Sequence, residues 1–161
     1  MRNDRVFTYD KKFMLEAINC ALIAKKKDEV PIGAVIVKGD KIIAKAYNLM
    51  EKKQDPTCHA EIIAIKKACK KLKSWRLDDC VLYVTVEPCS MCAGAIANAR
   101  IPYVFFGAYE EKSGGAISKF PILTDSGLNH RCEFEGGFEL ETCSKLLKNY
   151  FKGKRKPKSL D

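Results

Sequence analysis

The chain has 161 residues, a formal net charge of +9 and 47% hydrophobic residues. This length and composition predict one folded domain and exclude a largely disordered chain, because the apolar content suffices for a single core. No apolar run approaches the roughly 20 residues that span a bilayer, and the first ten residues are too charged for a secretory signal. We therefore expect a cytoplasmic protein without a membrane segment. The positive charge favours a polyanionic partner, although a lysine-rich solvated surface explains the charge alone equally well.

The eight cysteines raise the question of disulfide bonds. The cytoplasm is a reducing compartment, so we interpret these residues as metal ligands and buried thiols rather than as four disulfides. Cys20, Cys69 and Cys143 fall in helical patterns, which predicts core positions for them.

The first part of the chain predicts a helix followed by a hairpin. The apolar periodicity of residues 11–27 is typical of an amphipathic helix, with Asp10 as its N-cap. Residues 30–37 predict a strand, Gly39 marks a tight turn, and residues 41–47 predict the antiparallel partner. This hairpin begins the predicted sheet.

The next part alternates helices and strands. A polar connection leads to a helix that starts near His59, and residues 81–86 predict a strongly apolar strand. A helix rich in small residues then opens at Pro88 and Cys89. Residues 101–106 predict a strand parallel to the one before, because a helix separates the two.

The last part predicts a loop, a strand and a helix. Residues 110–128 lack a clear period and predict a functional loop with room for one short helix. Residues 131–134 predict an edge strand, and the final helix is predicted to begin near Glu139. The element order predicts an α/β fold, a three-layer α/β/α sandwich with a mixed sheet of about five strands. We place the domain at residues 1–153 and a basic, flexible tail at residues 154–161.

Two short motifs carry the chemistry. His59 and Glu61 form an H-x-E motif at a predicted helix start, and Cys89 and Cys92 form a C-x-x-C motif after a predicted strand. An imidazole and two thiolates are typical zinc ligands, and helix N-termini favour thiolates. Structural zinc sites close with four protein ligands, whereas these motifs supply three.

Three other cysteines, Cys58, Cys80 and Cys132, are candidates for a fourth ligand. Cys58 is adjacent to His59 and points to a different face of the helix start, and the other two have no ligand-like spacing. The pattern therefore favours a three-ligand zinc site with a water in the fourth position. Zinc lowers the pKa of such a water to about 7, which makes a hydroxide nucleophile available. Glu61 is then the natural proton shuttle, although in isolation it would be an ordinary solvated glutamate of a helix start.

Together, H-x-E followed by P-C-x-x-C is the signature of the zinc nucleobase deaminases. A thioredoxin-like redox site would leave the H-x-E motif unexplained. The resemblance is wider than these motifs, because four stretches are similar to the bacterial tRNA-specific adenosine deaminases of the cytidine and deoxycytidylate deaminase superfamily: residues 30–35, 55–62, 83–95 and 129–131. The similarity runs from about Phe13 to Arg155 and implies a cytidine deaminase-like fold.

The resemblance implies an activity, a cofactor and partners. The activity is the hydrolytic conversion of adenosine to inosine at the wobble position of tRNA, typically the arginine tRNA with anticodon ACG. The resemblance implies one zinc ion per subunit, held by His59, Cys89 and Cys92, with Glu61 as the acid and base. It also implies a homodimer, because the family builds its RNA site across two subunits.

Further positions match substrate contacts of the family. Asn48 matches an asparagine that hydrogen-bonds the adenine, although asparagine is also common in turns. Val30, Pro31 and Val86 match the wall of the base pocket, although core strands also favour apolar residues there. Glu110 stands where the family commonly has an aspartate near a ribose next to the target, and the longer carboxylate keeps or shifts that 2′-OH contact.

The end of the last predicted helix matches the contacts of the family to the anticodon loop. Aromatic and basic side chains occur together there: Tyr150, Phe151, Lys152, Lys154 and Arg155. Single-stranded RNA loops are bound by stacking on aromatic rings and by cations on phosphates. Two alternatives stay open beside the tRNA deaminase. One is a zinc-dependent deaminase of a free base or nucleotide of the guanine or cytosine type, and the other is a noncatalytic RNA-binding module with a structural zinc.

Overall fold

The structure is a computed structural model that describes residues 6–124, 127 and 130–154. In chain order its elements are α1 (Lys11–Lys26), β1 (Gly33–Lys38), β2 (Lys41–Tyr47), α2 (Met50–Lys53), α3 (Ala60–Leu72), β3 (Cys80–Val86), α4 (Ser90–Asn98), β4 (Tyr103–Ala108), β5 (Glu133–Glu135) and α5 (Leu140–Lys154). Within these residues no helix has the length and apolar character needed to cross a membrane.

The strands of the described residues form one mixed sheet in the order β2-β1-β3-β4-β5. β1 is antiparallel to both β2 and β3, whereas β3, β4 and β5 are parallel to one another. The predicted hairpin and the predicted parallel pair are both confirmed. Because β3 and β4 are parallel, the segments that follow them leave the sheet at the same edge.

Buried side chains cover both faces of the sheet and make three layers. One core cluster contains residues of α3 and α4, among them Ala60, Ala64 and Ile96. The other contains residues of α1 and α5, among them Phe13 and Cys143. The α/β/α sandwich is therefore confirmed, with α3 and α4 on one face and α1 and α5 on the other.

Close packing of α1 on the sheet depends on Gly33 at the start of β1. A Cβ atom at this position would lie 2.6 Å from the backbone nitrogen of Ala21 and would overlap the carbonyl oxygen of Ala17. Two of the cysteines predicted to be core, Cys20 and Cys143, are buried as expected, whereas Cys69 is half-buried. The eight cysteines are free thiols.

The first strand starts later than the sequence predicts, because the backbone turns before it. Val30 and Pro31 precede β1, and the N–H of Ile32 donates to the carbonyl of Val30 at 2.8 Å. Proline cannot donate to a strand ladder, so the ladder begins after it.

Three other differences concern the connections. The short helix α2 lies in what the sequence predicts to be a polar connection. The described residues between β4 and β5 form turns and bends but no helix. The edge strand starts at Glu133, two residues later than predicted.

Candidate metal centre and active site

Two helix N-termini meet on one face of the sheet. His59 is the N-cap residue of α3 and Cys89 is the N-cap residue of α4. Both have extended backbone, with φ −74° and ψ 152° at His59 and φ −70° and ψ 176° at Cys89. The chain therefore turns into a helix directly after each residue, and each side chain lies beside free N–H groups of a helix start. Cys92 belongs to the first turn of α4, one helical turn beyond Cys89.

The donor atoms of these residues form a compact cluster. The Nδ1 atom of His59 lies 3.5 Å from Sγ of Cys89 and 3.5 Å from Sγ of Cys92. A tetrahedral zinc ion with ordinary Zn–N and Zn–S bonds holds its nitrogen and sulfur ligands about 3.5 Å apart. The three residues therefore fit zinc in both donor type and spacing.

The cluster contains three protein donors. Its ligand atoms all lie within 4.8 Å of one another, and among the described residues no other histidine, cysteine or acidic side chain joins them. The candidate fourth ligands Cys58, Cys80 and Cys132 therefore lie outside the cluster. The alternative of a structural zinc site requires a fourth protein ligand, and this part of the chain supplies none.

The two thiols differ in their affinity for a proton. The hydrogen bond from Cys92 lowers the pKa of Cys89 to about 4, and His59 acts in the same direction. The same interaction, together with burial, raises the pKa of Cys92. Contact with Cys89 raises the pKa of His59. Cys89 is therefore a thiolate at neutral pH, which is the form that binds a cation.

Glu61, the second residue of α3, is a buried carboxyl beside this cluster. Its side chain is 2% exposed. Burial raises the pKa of Glu61 to about 7, and the thiolate of Cys89 adds to the effect. A carboxyl group with this pKa can both accept and donate a proton near neutral pH. Glu61 is therefore unlike the solvated helix-start glutamate that its position in the sequence alone would suggest.

Asn48 follows β2 and presents a buried acceptor. The N–H of Asn48 donates to the carbonyl of Ile32 at 3.2 Å, and the N–H of the next residue, Leu49, donates to the carbonyl of Cys58 at 3.0 Å. These bonds hold Asn48 next to the segment that enters α3. Its side chain is 3% exposed, and its Oδ1 has no hydrogen-bond partner among the described residues. An unsatisfied buried acceptor costs roughly 1–3 kcal/mol, so a donor from a water or a ligand is needed at this atom.

The three apolar residues predicted to line the pocket differ in burial. Val86 is 5% exposed and packs in the core cluster on the α1 face of the sheet. Pro31 is buried, and Val30 is half-buried. Their packing explains why they are apolar, and their contact with a base stays a prediction.

Glu110 lies two residues beyond the end of β4 and is half-buried. Its Oε1 accepts a hydrogen bond from the N–H of Lys112 at 3.0 Å, so the carboxylate folds over its own turn. Its N–H donates to Oε1 of Glu87 at 3.2 Å. This contact reveals a residue that the sequence analysis missed, since Glu87 is 2% exposed and directly precedes Pro88. A glutamate directly after a strongly apolar strand is the signal that could have identified it.

Glu29 is a second buried carboxylate that the sequence analysis missed. It is fully buried before Val30, and its carboxylate accepts the N–H of Glu51 at 2.7 Å and that of Lys52 at 3.4 Å. These bonds hold the start of α2, the short helix that follows Asn48. No local pattern identified Glu29, because its donors lie more than twenty residues further along the chain.

The aromatic and basic end of α5 is divided between packing and exposure. The hydroxyl of Tyr150 donates to the carbonyl of Asp28 at 3.3 Å, and Nζ of Lys154 lies 2.6 Å from Oδ1 of Asp28. Phe151 is 46% exposed and Lys152 is exposed. Tyr150 and Lys154 therefore anchor the helix end near the segment that leads to Val30, whereas Phe151 and Lys152 face solvent. Arg155 lies outside the described residues.

A five-stranded α/β/α sandwich with H-x-E and P-C-x-x-C motifs at two helix starts defines the class of nucleobase deaminases. Residues 8–155 match the model of the MafB19-like deaminases. The chain is 48% identical to the tRNA-specific adenosine deaminase of Aquifex aeolicus over 140 residues, which cover 87% of this chain and 92% of that protein. The chain belongs to the family of tRNA-specific adenosine deaminases.

Two solved structures show the same architecture. One is from work on A-to-I editing by tRNA:A34 deaminases at the wobble position of transfer RNA; it has a TM-score of 0.83 and 38% identity, and the match covers 86% of this chain and all of that one. The other is a guanine deaminase from Bacillus subtilis with a TM-score of 0.61 and 30% identity, matched over 96% of this chain and 99% of that one. The fold is thus common to deaminases with different bases as substrates.

Proposed function

We propose that this protein deaminates adenosine to inosine in tRNA, at the wobble position of the anticodon, typically in the arginine tRNA with anticodon ACG. The observation that carries the proposal is the three-donor cluster with the buried Glu61 beside it, in a chain of this family. Three donors leave one position of a tetrahedral ion free for chemistry. The proposed substrate also argues for a cytoplasmic location, since tRNA is processed there.

We propose that His59, Cys89 and Cys92 hold one zinc ion per subunit. A bound zinc ion supplies Lewis-acid activation of a water molecule. Glu61 accepts the two protons of the attacking water one after the other, and it delivers the first to the adenine ring and the second to the leaving amine. The water oxygen bonds to C6 of adenine, the C6–N6 bond breaks, and ammonia leaves. The burial of Glu61 keeps this carboxyl away from bulk water, so its protons pass to the substrate.

Asn48 is proposed to orient the base. A carboxamide presents one acceptor and two donors, and adenine presents an exocyclic amine and ring nitrogen acceptors. The unpartnered Oδ1 of Asn48 can therefore accept a hydrogen bond from the substrate. This explains why the chain tolerates an unsatisfied buried acceptor at this position.

Asn48→Ala is expected to lower kcat/KM for tRNA deamination roughly 10- to 100-fold, the value of one lost hydrogen bond to a buried group. The thermal midpoint should stay within about 3 °C of the wild type, because the variant loses an acceptor that has no partner among the described residues. Kinetics and thermal unfolding of the same preparation measure both effects. Asn19→Ala, on the exposed side of α1, is the matched control. Unchanged kcat/KM would remove Asn48 from the substrate site.

The choice of substrate can be tested directly. Purified protein is incubated with tRNA that carries adenosine at the wobble position, and the digested nucleosides are analysed by mass spectrometry. Inosine is expected in the tRNA, with no turnover of guanine, cytosine or their nucleotides. Guanine must be included among the tested substrates, because the chain is 30% identical to a guanine deaminase. Turnover of guanine without inosine in tRNA would establish the free-base alternative.

The exposed end of α5 is proposed to contact the anticodon loop, with Tyr150 and Lys154 holding the helix end in place. Phe151 offers a ring for base stacking and Lys152 a cation for phosphate. The proposed basic tail, residues 154–161, includes Arg155 and would extend this contact. Lys154, the first residue of this tail, is the last described residue of α5.

Lys152→Ala is expected to weaken tRNA binding and to reduce the slope of log K against log salt by about one, because one phosphate contact is lost. Binding isotherms at several salt concentrations measure the slope. Lys71→Ala, near the end of α3 away from His59, is the matched control and should leave the slope unchanged. Equal slopes for wild type and Lys152→Ala would contradict the contact.

We further propose a homodimer. Several large apolar side chains are exposed on the first turn of α4 and in the segment after β4: Met91 (36%), Tyr109 (48%), Ile117 (56%) and Phe120 (42%). The two segments adjoin, because the N–H of Gly115 donates to the carbonyl of Pro88, and exposed apolar groups on adjoining segments favour an interaction surface. Sedimentation equilibrium is expected to give twice the mass of the chain.

A further inference from the structure

Glu87 is a buried carboxylate between the end of β3 and the turn that carries Cys89. Five donors surround its two oxygens, and all belong to the segment of residues 110–118, here called the substrate loop. Oε2 accepts the N–H groups of Ala116 at 3.2 Å, Ile117 at 3.1 Å and Ser118 at 3.0 Å. Oε1 accepts the N–H of Glu110 at 3.2 Å and the hydroxyl of Ser118.

The substrate loop is also attached to the turn of the metal centre. The N–H of Gly115 donates to the carbonyl of Pro88 at 2.6 Å, and Gly114 forms an antiparallel bridge with Cys89. A Cβ atom at Gly114 would overlap the Glu87 carboxylate, so glycine is required for this close approach. The loop thus lies directly on the segment that supplies two of the three donors.

The donors around Glu87 require a side chain in which both oxygens accept hydrogen bonds. The described part of the loop has turns but no helix or strand of its own, so its buried N–H groups need acceptors from elsewhere. Burial on its own raises the pKa of Glu87, but the hydrogen bonds from Ser118, Ile117 and Glu110 outweigh burial and lower it. Because five donors occupy its two oxygens, the carboxylate carries no proton, and it accepts the hydrogen bonds that a regular element would have accepted.

We propose that Glu87 is a positioning residue for tRNA: it sets the Glu110 end of the substrate loop at a fixed place relative to the metal centre. Glu110 is the residue proposed to lie near the ribose next to the target adenosine. Glu87 therefore fixes the proposed contact between Glu110 and the RNA backbone at a set distance from the metal centre, where the base reacts. This inference rests on the proposed function, and it adds a residue that acts through Glu110.

A glutamine at position 87 distinguishes the hydrogen bond to Glu110 from the hydrogen bonds to residues 116–118. Its single carbonyl oxygen can face the three N–H groups of residues 116–118, and its amide NH2 group can then donate to the hydroxyl of Ser118. The amide nitrogen cannot accept a hydrogen bond from the N–H of Glu110. Glu87→Gln therefore removes the bond to Glu110 and keeps the bonds at the other end of the loop.

The test compares zinc-loaded wild type and Glu87→Gln as full chains. Amide hydrogen exchange is expected to rise at residues 110–112 and to stay unchanged at residues 116–118, in the absence of RNA. KM and Kd for wobble-adenosine tRNA are expected to rise about tenfold, the value of one hydrogen bond to a charged group, with kcat within about threefold and zinc content unchanged. Thr124→Ala is the control, because it removes a hydroxyl hydrogen bond to Pro121 in the same connection without touching Glu87.

A double-mutant cycle with Glu110→Ala tests the route of the effect. If Glu87 acts through the Glu110 side chain, Glu87→Gln should raise KM little further in a protein that already carries Glu110→Ala. Additive effects on KM, unchanged exchange at residue 110, or a fall in kcat with loss of zinc would each overturn the proposal. Should Glu87→Gln not fold, Glu87→Asp keeps the charge and shortens the reach, and it should raise KM without lowering kcat. The exchange measurement needs no substrate, so failure of the loop inference and failure of the tRNA assignment give different results.

Discussion

Glu61→Gln is expected to reduce the rate of inosine formation roughly 10²- to 10⁴-fold at saturating tRNA, the usual contribution of a general acid and base. Glu61 is buried beside the thiolate of Cys89, and its pKa of about 7 lets it give and take protons near neutral pH. Glutamine has the same shape but exchanges no proton. Single-turnover deamination of a wobble-adenosine tRNA measures the step itself.

Two further measurements make this result specific to Glu61. The Kd for tRNA and the zinc content should match the wild type, since the amide fills the same space and Glu61 lies outside the donor cluster. Glu16→Gln is the matched control, because that carboxylate makes an exposed ion pair with Lys45. Retained turnover in Glu61→Gln would refute the proposed role.

Cys92→Ser is expected to abolish both zinc binding and turnover. Cys92 is fully buried, and its Sγ is one of three donors within 4.8 Å of one another. Partners that merely orient metal ligands are worth about 10- to 100-fold in affinity, so loss of a ligand should cost more than about 100-fold. Zinc content after dialysis against a weak chelator, followed by the deamination assay, measures the effect.

The neighbouring cysteine provides the control for this experiment. Cys58 directly precedes His59 in the chain but does not belong to the donor cluster. Cys58→Ser should therefore retain one zinc per chain and full turnover. If Cys58→Ser lost zinc and Cys92→Ser kept it, the ligand set proposed here would be wrong.

The buried polar groups of the described residues concentrate in the segments that build the site. They are Glu29, Asn48, Glu61, Thr85 and Glu87. Burial of a polar or charged group costs free energy unless partners compensate it. Glu29 and Glu87 are compensated by N–H groups of the loops that they hold. Oδ1 of Asn48 has no partner among the described residues, and burial raises the pKa of Glu61, and both features agree with the substrate roles proposed for these two residues.

The sequence by itself determined the α/β/α architecture and the candidate centre. The apolar residues of α1 and of β3 recur with the periods of a helix and a buried strand, and these periods depend only on local backbone geometry. The motifs at His59 and Cys89 identified three donors because metal ligands at a helix start have a fixed spacing along the chain. The resemblance then supplied the family and the substrate, both of which the comparisons support.

Only the tertiary structure decided which other side chains serve the site. Glu87 receives N–H groups from residues 23 to 31 positions away, and Glu29 receives them from 22 and 23 positions away. Tyr150 meets Asp28 across 122 positions, which separates the anchoring residues of α5 from the exposed ones. A local pattern records the period of one element but carries no information on which distant N–H groups a carboxylate will meet. The partners of buried polar groups therefore become known only when the elements are packed together.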